Sequence, residues 1–479
     1  MSRINTNVTS LIAQRVLKKN NDSLNTSLER LSTGVRINSG KDNPAGLIAS
    51  EILRGEKAGI STAIENAGRA SNIIGTAEGG LTEVSSLIIE LQGLVNQSAN
   101  SSGLSTEERD ANQLQVDSIL GTINRIAGNT SFAGAKLLNG NYDYTTSSAD
   151  ASAFGSIQVN SAQLPAGTTQ NVTVTVTNSA TQGELTFTGA GLGTTGTTLE
   201  VAGADGTQQL SFAASATVDD IAAAVNAITS VTGVTASAST GALAFTAKEF
   251  GSDNFVSVRS VAGATFAVTG GTSGKAEGTD AVVTVNGAAA TVSGLDVTYR
   301  SSTLDVEFQL TSNGYNEATV DGLNNGGTKT FGITGGGAQF SLGSKVNENG
   351  KAMIGIKSVS TSSLGNGVVG FLNSLGSGGD NSLNAADLSG AQKIIDTAAK
   401  QVSQLRGRLG AFQRFTVGST VNSLGVAYEN ASAAESAIRD TDFAEETASL
   451  TRSQILSQSA TQILAQANAA PQAALSLLR

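Results

Sequence analysis

Helical ends around a β-rich middle, an α+β chain, is the fold class this sequence predicts, on three observations. Apolar residues recur every three or four positions toward both termini. Between about 150 and 380 they alternate instead in twos. Charge divides at the same places: residues 1–142 carry 13 basic and 13 acidic side chains, 143–380 carry 8 and 18, and 381–479 carry 8 and 8. The net charge of −10 therefore sits wholly in the middle, with most of the 56 glycines.

Taken in order, the first helix, about 4–32, is marked by Leu17, Leu24 and Leu31 seven apart with Leu28 between. In the polar connection that follows, Asp42, Asn43 and Pro44 before Gly46 suit a tight turn and a helix start. Leu81, Val84, Ile88, Leu91 and Val95 step by three and four, as do Val116, Ile119, Ile123 and Ile126. Between these runs Asn100-Ser101-Ser102-Gly103 reads as a helical-hairpin loop, and Ser105 with Glu108 predicts a capping box opening the 105–128 helix.

Strands are predicted where Val172, Val174 and Val176, Leu185 and Phe187, Leu304, Val306, Phe308 and Leu310, and Phe331 and Ile333 alternate with polar residues. One helix interrupts them: Thr217 can cap it, Asp219 and Asp220 favour its positive end, and Val218, Ile221, Val225 and Ile228 form its apolar face. Helical spacing resumes at Ile395, Ala398, Val402, Leu405, Leu409 and Phe412. The last helix, about 443–478, places Leu456, Ile463 and Leu477 at multiples of seven. A sustained 3-4 spacing is a coiled-coil seam. Both terminal stripes are narrow, and neither helix alone offsets the ~1–2 kcal/mol per residue of backbone ordering, so both require partners.

Composition excludes much chemistry. Without His or Cys there is no imidazole or thiolate metal site, disulfide or Ser-His-Asp triad. An acidic chain is a poor general binder of nucleic acid. Gly335-Gly336-Gly337 lacks the ending and the helix of a phosphate loop, and Asp219/Asp220 and Glu445/Glu446 read as helix-end charges, so no catalytic, cofactor-binding or metal residue is assigned. The polar start and the lack of any apolar run of membrane length lead us to expect no cleaved signal and no membrane insertion.

Leu31-Ser32-Thr33-Gly34-Val35-Arg36-Ile37-Asn38-Ser39-Gly40-Lys41-Asp42-Asn43-Pro44-Ala45-Gly46 resembles bacterial flagellin, the subunit of the flagellar filament. So do Asn5-Thr6-Asn7, Arg125-Ile126-Ala127 leading to Thr130-Ser131-Phe132 and Leu137-Leu138-Asn139-Gly140, Ile438-Arg439-Asp440-Thr441-Asp442-Phe443-Ala444, and Leu464-Ala465-Gln466-Ala467-Asn468. The 195–262 stretch resembles a repeat found inside flagellin inserts.

The resemblance implies that residues 1–35 and 441–479 pair as a coiled-coil filament core, that 36–150 and 381–440 form a helical bundle domain beside it, and that 151–380 is a surface-exposed insert of one or two small α+β domains. It assigns core assembly to Leu17, Leu24, Leu28, Leu31, Leu456, Ile463, Leu464 and Leu477, and an inter-domain turn to Arg36, Asn38, Asp42, Asn43, Pro44 and Gly46. It further implies a secreted, non-enzymatic chain that leaves the cell unfolded through the flagellar type III channel and polymerises with itself. An export chaperone on the C-terminal helix, the filament cap and the hook–filament junction proteins are the implied partners. Flagellins that stimulate the flagellin-sensing Toll-like receptor carry an Arg, a Glu and a Leu on one helix and a Glu on the next. Glu90 and Gly93 stand here for the Arg and the first Glu, Leu94 is kept, and Gln115 replaces the second Glu, which implies weak receptor activation. The alternative is a hook–filament junction protein with flagellin-like ends. A zinc-protease insert is ruled out by the missing His.

Overall fold

The structure, a computed structural model, describes residues 6–476 except 101–102, 148, 165–167, 190, 193–194, 240, 312–326, 368 and 386–387. Its helices are α1 (Val8–Thr33), α2 (Pro44–Ser98), α3 (Thr106–Asn129), α4 (Val218–Ala227), the single-turn α5 (Thr229–Thr232), α6 (Ser389–Ala411), α7 (Gly418–Arg439) and α8 (Phe443–Ser476). Apart from α4 and α5, the stretch between α3 and α6 is built mainly of strands, so the chain is α+β with helical ends and a β-rich insert. Ser101 and Ser102 of the predicted loop lie outside the described residues. Two compact units divide the chain: Met1–Gly68 with Ser341–Gly350 and Gly418–Arg479, and Arg69–Phe340 with Lys351–Val417.

In the first unit α1 and α8 run antiparallel. Asn7 caps α1 by accepting the Ser10 amide at 3.0 Å and donates its own amide to the Ala467 carbonyl at 2.8 Å. Farther along, the Ser457 hydroxyl reaches Asn21 at 2.7 Å, and Arg30 lies 3.5 Å from Glu446. Gly34 ends α1 in the left-handed conformation at φ 72°, its N–H donating to the Arg30 carbonyl at 2.8 Å. Asp442 opens α8 by accepting the Ala444 amide at 2.8 Å.

The first unit also holds α7 and the start of α2, and the second holds the rest of α2, α3, α4, α5, α6 and all the larger sheets. The stripes Leu81, Val84, Ile88, Leu91, Val95 and Val116, Ile119, Ile123 are buried, as the spacing predicts, but Ile126 is only half-buried and Ala127 takes the next buried place. The capping box is present in both directions, Glu108 N–H to Ser105 Oγ at 3.2 Å and Ser105 N–H to Glu108 Oε2 at 2.9 Å. On α6 the buried stripe runs through Ile395, Ala398, Val402, Leu405 and Leu409, but its next buried member is Val417 and not Phe412. The reason is a π-helical segment at Phe412–Val417, whose wider turn advances the stripe beyond the α-helical spacing.

Two antiparallel sheets enclose the first β core. One is ordered Ala288–Ala289, Val282–Val285, Gln170–Asn178, Thr328–Gly336, Tyr144–Ser147; the other is Thr291–Ser293, Asp296–Arg300, Leu304–Leu310, Phe154–Ala162. Val172, Val174 and Val176 point inward with Phe154, Phe308 and Phe331. A second core lies between the sheets containing Glu184–Thr188 and Thr197–Gly203, with Val218, Ile221 and Val225 of α4 packed into it. Thr217 caps α4 as predicted, and Asp220, besides favouring the positive end of the helix, completes a capping box by accepting the Thr217 amide at 3.0 Å.

Candidate assembly surfaces

The α1–α8 seam is made of small side chains. Ser10, Ala13, Ser27, Ser453 and Ala460 are buried in it, while Leu17, Leu24, Leu31 and Leu464 are half-buried at its margins. Leu28, Leu456 and Ile463 remain 47%, 47% and 59% exposed. Leu477 lies outside the described residues. The heptad leucines are thus not the core of this pair within one chain; small residues let the two backbones approach and push the branched side chains outward. Leu11, Ile12 and Val16 of α1 and Ile455 of α8 are exposed as well. Aliphatic side chains thus stand exposed repeatedly along two long helices, whereas lone exposed apolar residues are ordinary.

The turn residues come together with the end of α7. Asp42 accepts the Asn38 amide at 3.2 Å, the Ser39 amide at 2.8 Å and the Ser39 hydroxyl at 2.9 Å. The Ser39 backbone bond, then its hydroxyl, holds the Asp42 carboxyl below the usual carboxylate range. Asn43 accepts the Gly46 amide at 2.9 Å, and Pro44, which has no amide hydrogen to lose, is the first residue of α2. A Cβ on Gly46 would lie 2.6 Å from Cδ1 of the buried Ile37, so any larger residue there must displace the tip of that side chain. Arg36 ties the turn to α7 by donating to the Ile438 carbonyl at 2.8 Å through its side chain and to the Arg439 carbonyl at 2.7 Å through its backbone. Asn38 donates to Glu29 at 2.6 Å. Charge pairs that the sequence did not signal brace the same unit: Lys57 to Glu435 at 2.7 Å, raising the lysine pKa, and Arg439 to Glu51 at 3.1 Å.

Of the receptor-equivalent positions, Glu90, Gly93 and Gln115 are exposed, but Leu94 is buried, because it continues the Leu91 and Val95 stripe. An open groove of about 430 Å³ lined by residues including Gly80, Glu83, Arg125 and Thr130 has no paired nucleophile and base. Among the described residues no cluster of three or more Asp or Glu could hold a metal, and no helix is long and apolar enough to cross a membrane.

Comparison with known proteins identifies the family of the chain's two ends and of part of its middle. Residues 4–143 match the bacterial flagellin N-terminal helical region, 392–478 the bacterial flagellin C-terminal helical region, and 198–249 the flagellin hook IN motif. The chain is 31% identical to polar flagellin F of Vibrio parahaemolyticus and 32% identical to B-type flagellin of Pseudomonas aeruginosa, in each case over 99% of both chains. Among solved structures it is similar at a TM-score of only 0.28 and 18% identity to the D1-D2-D3 domains of the flagellar cap protein FliD from Escherichia coli, covering 46% of this chain and 65% of that one. Xanthomonas campestris FlgL gives a TM-score of 0.21 at 12% identity over 84% of this chain and 98% of that one.

Proposed function

This chain belongs to the bacterial flagellin family, and from that premise we propose that the outward aliphatic faces of α1 and α8 are the surfaces through which its copies join at the filament centre. As a flagellin it is a structural subunit of the extracellular flagellar filament, a self-assembling polymer for motility, and not an enzyme. The observation that carries the reading of the surfaces is the exposure of Leu28, Leu456 and Ile463 beside a seam of Ser and Ala. Residues 1–35 and 441–479 form the core domain, 36–150 and 381–440 the bundle around it, with the Arg36–Gly46 turn between, and 151–380 the outer insert. Charge supports this arrangement: the neutral ends meet copies of themselves without repulsion, and the acidic insert keeps neighbouring filaments apart. Electron microscopy after precipitant-induced assembly of the purified chain is expected to show long homopolymers; short rings or zones would favour the junction-protein reading.

Export follows on the same reading. The chain passes unfolded through the type III channel, a chaperone covers Ile455, Leu456 and Ile463 in the cytosol, and the cap and junction proteins bound the growing polymer. The Toll-like receptor is expected to respond weakly. Glu90 places a carboxylate where stimulating flagellins carry Arg, which removes a charge-assisted contact and adds repulsion wherever the receptor surface is acidic. A reporter-cell titration giving potency equal to enteric flagellins would refute this.

A further inference from the structure

By sequence the loop Ser341–Gly350, between strands Ala338–Ser341 and Lys351–Ile354, falls in the acidic middle of the chain, yet it belongs to the compact unit that contains the start of α2. It is seated on that helix at Gly59, where an added Cβ would lie 2.6 Å from the Ser344 carbonyl oxygen. The loop also closes on itself. The Leu342 and Gly343 amides donate to the Gly350 carbonyl at 2.8 and 3.0 Å, and the Gly350 amide donates to Asn347 Oδ1 at 2.7 Å. Its shape is therefore fixed in a single chain, and it presents Val346 at 92% exposure, the most exposed large apolar side chain among the described residues.

The helix face around the seat is also uncovered. At 3.6 residues per turn Ile48, Ile52, Gly55 and Gly59 share one side of α2. Ile48 and Ile52 are 63% and 65% exposed, and nothing lies within 4 Å of a Cβ built on Gly55. The opposite side, carrying Lys57, is the one paired with Glu435 of α7. A preformed apolar knob and an aliphatic strip thus lie on the unit that also carries the α1 and α8 assembly faces.

We propose that the Ser341–Gly350 loop, through Val346 and the adjoining Ile48–Ile52 face, is a lateral contact with a second copy of this chain in the filament. The proposal rests on the filament reading above and extends it from the terminal helices to a loop supplied by the insert. Two features favour a second copy as the occupant. The strip lies on the same compact unit as the exposed faces of α1 and α8, and neither the loop, with Lys345 against Glu348, nor residues 1–142, with 13 positive and 13 negative side chains, carries a net charge to repel its like.

The chain has no cysteine, so Val346→Cys introduces a single thiol. Maleimide should label that thiol readily in monomers and more slowly in filaments by about tenfold or more, as expected where contact excludes water. A Val261→Cys control, at a site 49% exposed on the insert strand Phe255–Gly263, should react alike in both states. Equal labelling of Val346→Cys in monomers and in intact filaments overturns the contact and leaves polymerisation standing, whereas failure of the unaltered chain to polymerise overturns the filament reading itself. If Val346→Cys fails to assemble but keeps the circular dichroism of the unaltered monomer, the contact is supported, because a side chain this exposed does not hold one chain together.

Discussion

Chains carrying Leu28→Asp or Ile463→Asp should stay monomeric under conditions in which the unaltered chain forms filaments. Both side chains are about half exposed in a single chain, so the isolated molecule loses little by the change. A seam between copies is different. There an unpaired carboxylate would be removed from water, at a cost of about 3–5 kcal/mol when no partner charge compensates. That is roughly a hundredfold to several thousandfold in the association constant at each contact, and every subunit repeats it. Sedimentation and electron microscopy measure the outcome, with unchanged thermal unfolding of the monomer as the control for folding. Normal filaments from either variant would remove Leu28 and Ile463 from the assembly surface.

Phe331→Ala should have the opposite signature, a destabilised monomer that still polymerises in the cold. The Phe331 ring is fully buried and meets Phe154 edge-on at 5.5 Å and Phe308 at 6.3 Å, in a core shared by two sheets. Removing a buried ring costs about 3–5 kcal/mol through lost transfer energy and the cavity left behind. For a domain of this size that lowers the unfolding midpoint by on the order of 6–20 °C. The buried cluster around the trio includes no residue of α1 or α8, so filaments should assemble below the new midpoint. Differential scanning calorimetry reads the shift; an unchanged midpoint would show that the trio is not the energetic centre of the sandwich.

Local signals were legible in the sequence because their partners are a few residues apart. Ser105 and Glu108 announce their capping box by spacing alone, and the alternation in Val172, Val174 and Val176 fixes which face of Gln170–Asn178 turns inward. What the sequence hid depends on partners remote along the chain or on small side chains. Ser10, Ala13 and Ala460 carry almost no apolar signal, so the heptad leucines drew attention away from the actual seam. Leu94 kept its identity but not its availability, because the stripe it belongs to buries it. The π-helical segment at Phe412–Val417 advances the buried positions without any marker residue, and Gly59 acquires a meaning only once Ser344 is seen above it.

The Ser and Ala seam between α1 and α8 also bears on when filaments begin. Small side chains bury little apolar area, so one chain gains little by zipping its own ends together, and a pair of chains gains little more until several aliphatic faces meet at once. Such a chain has a steep threshold for starting a polymer and a low one for extending it. Growth should therefore occur at pre-existing ends, and a solution of monomers should lag for long periods unless seeded with broken filaments.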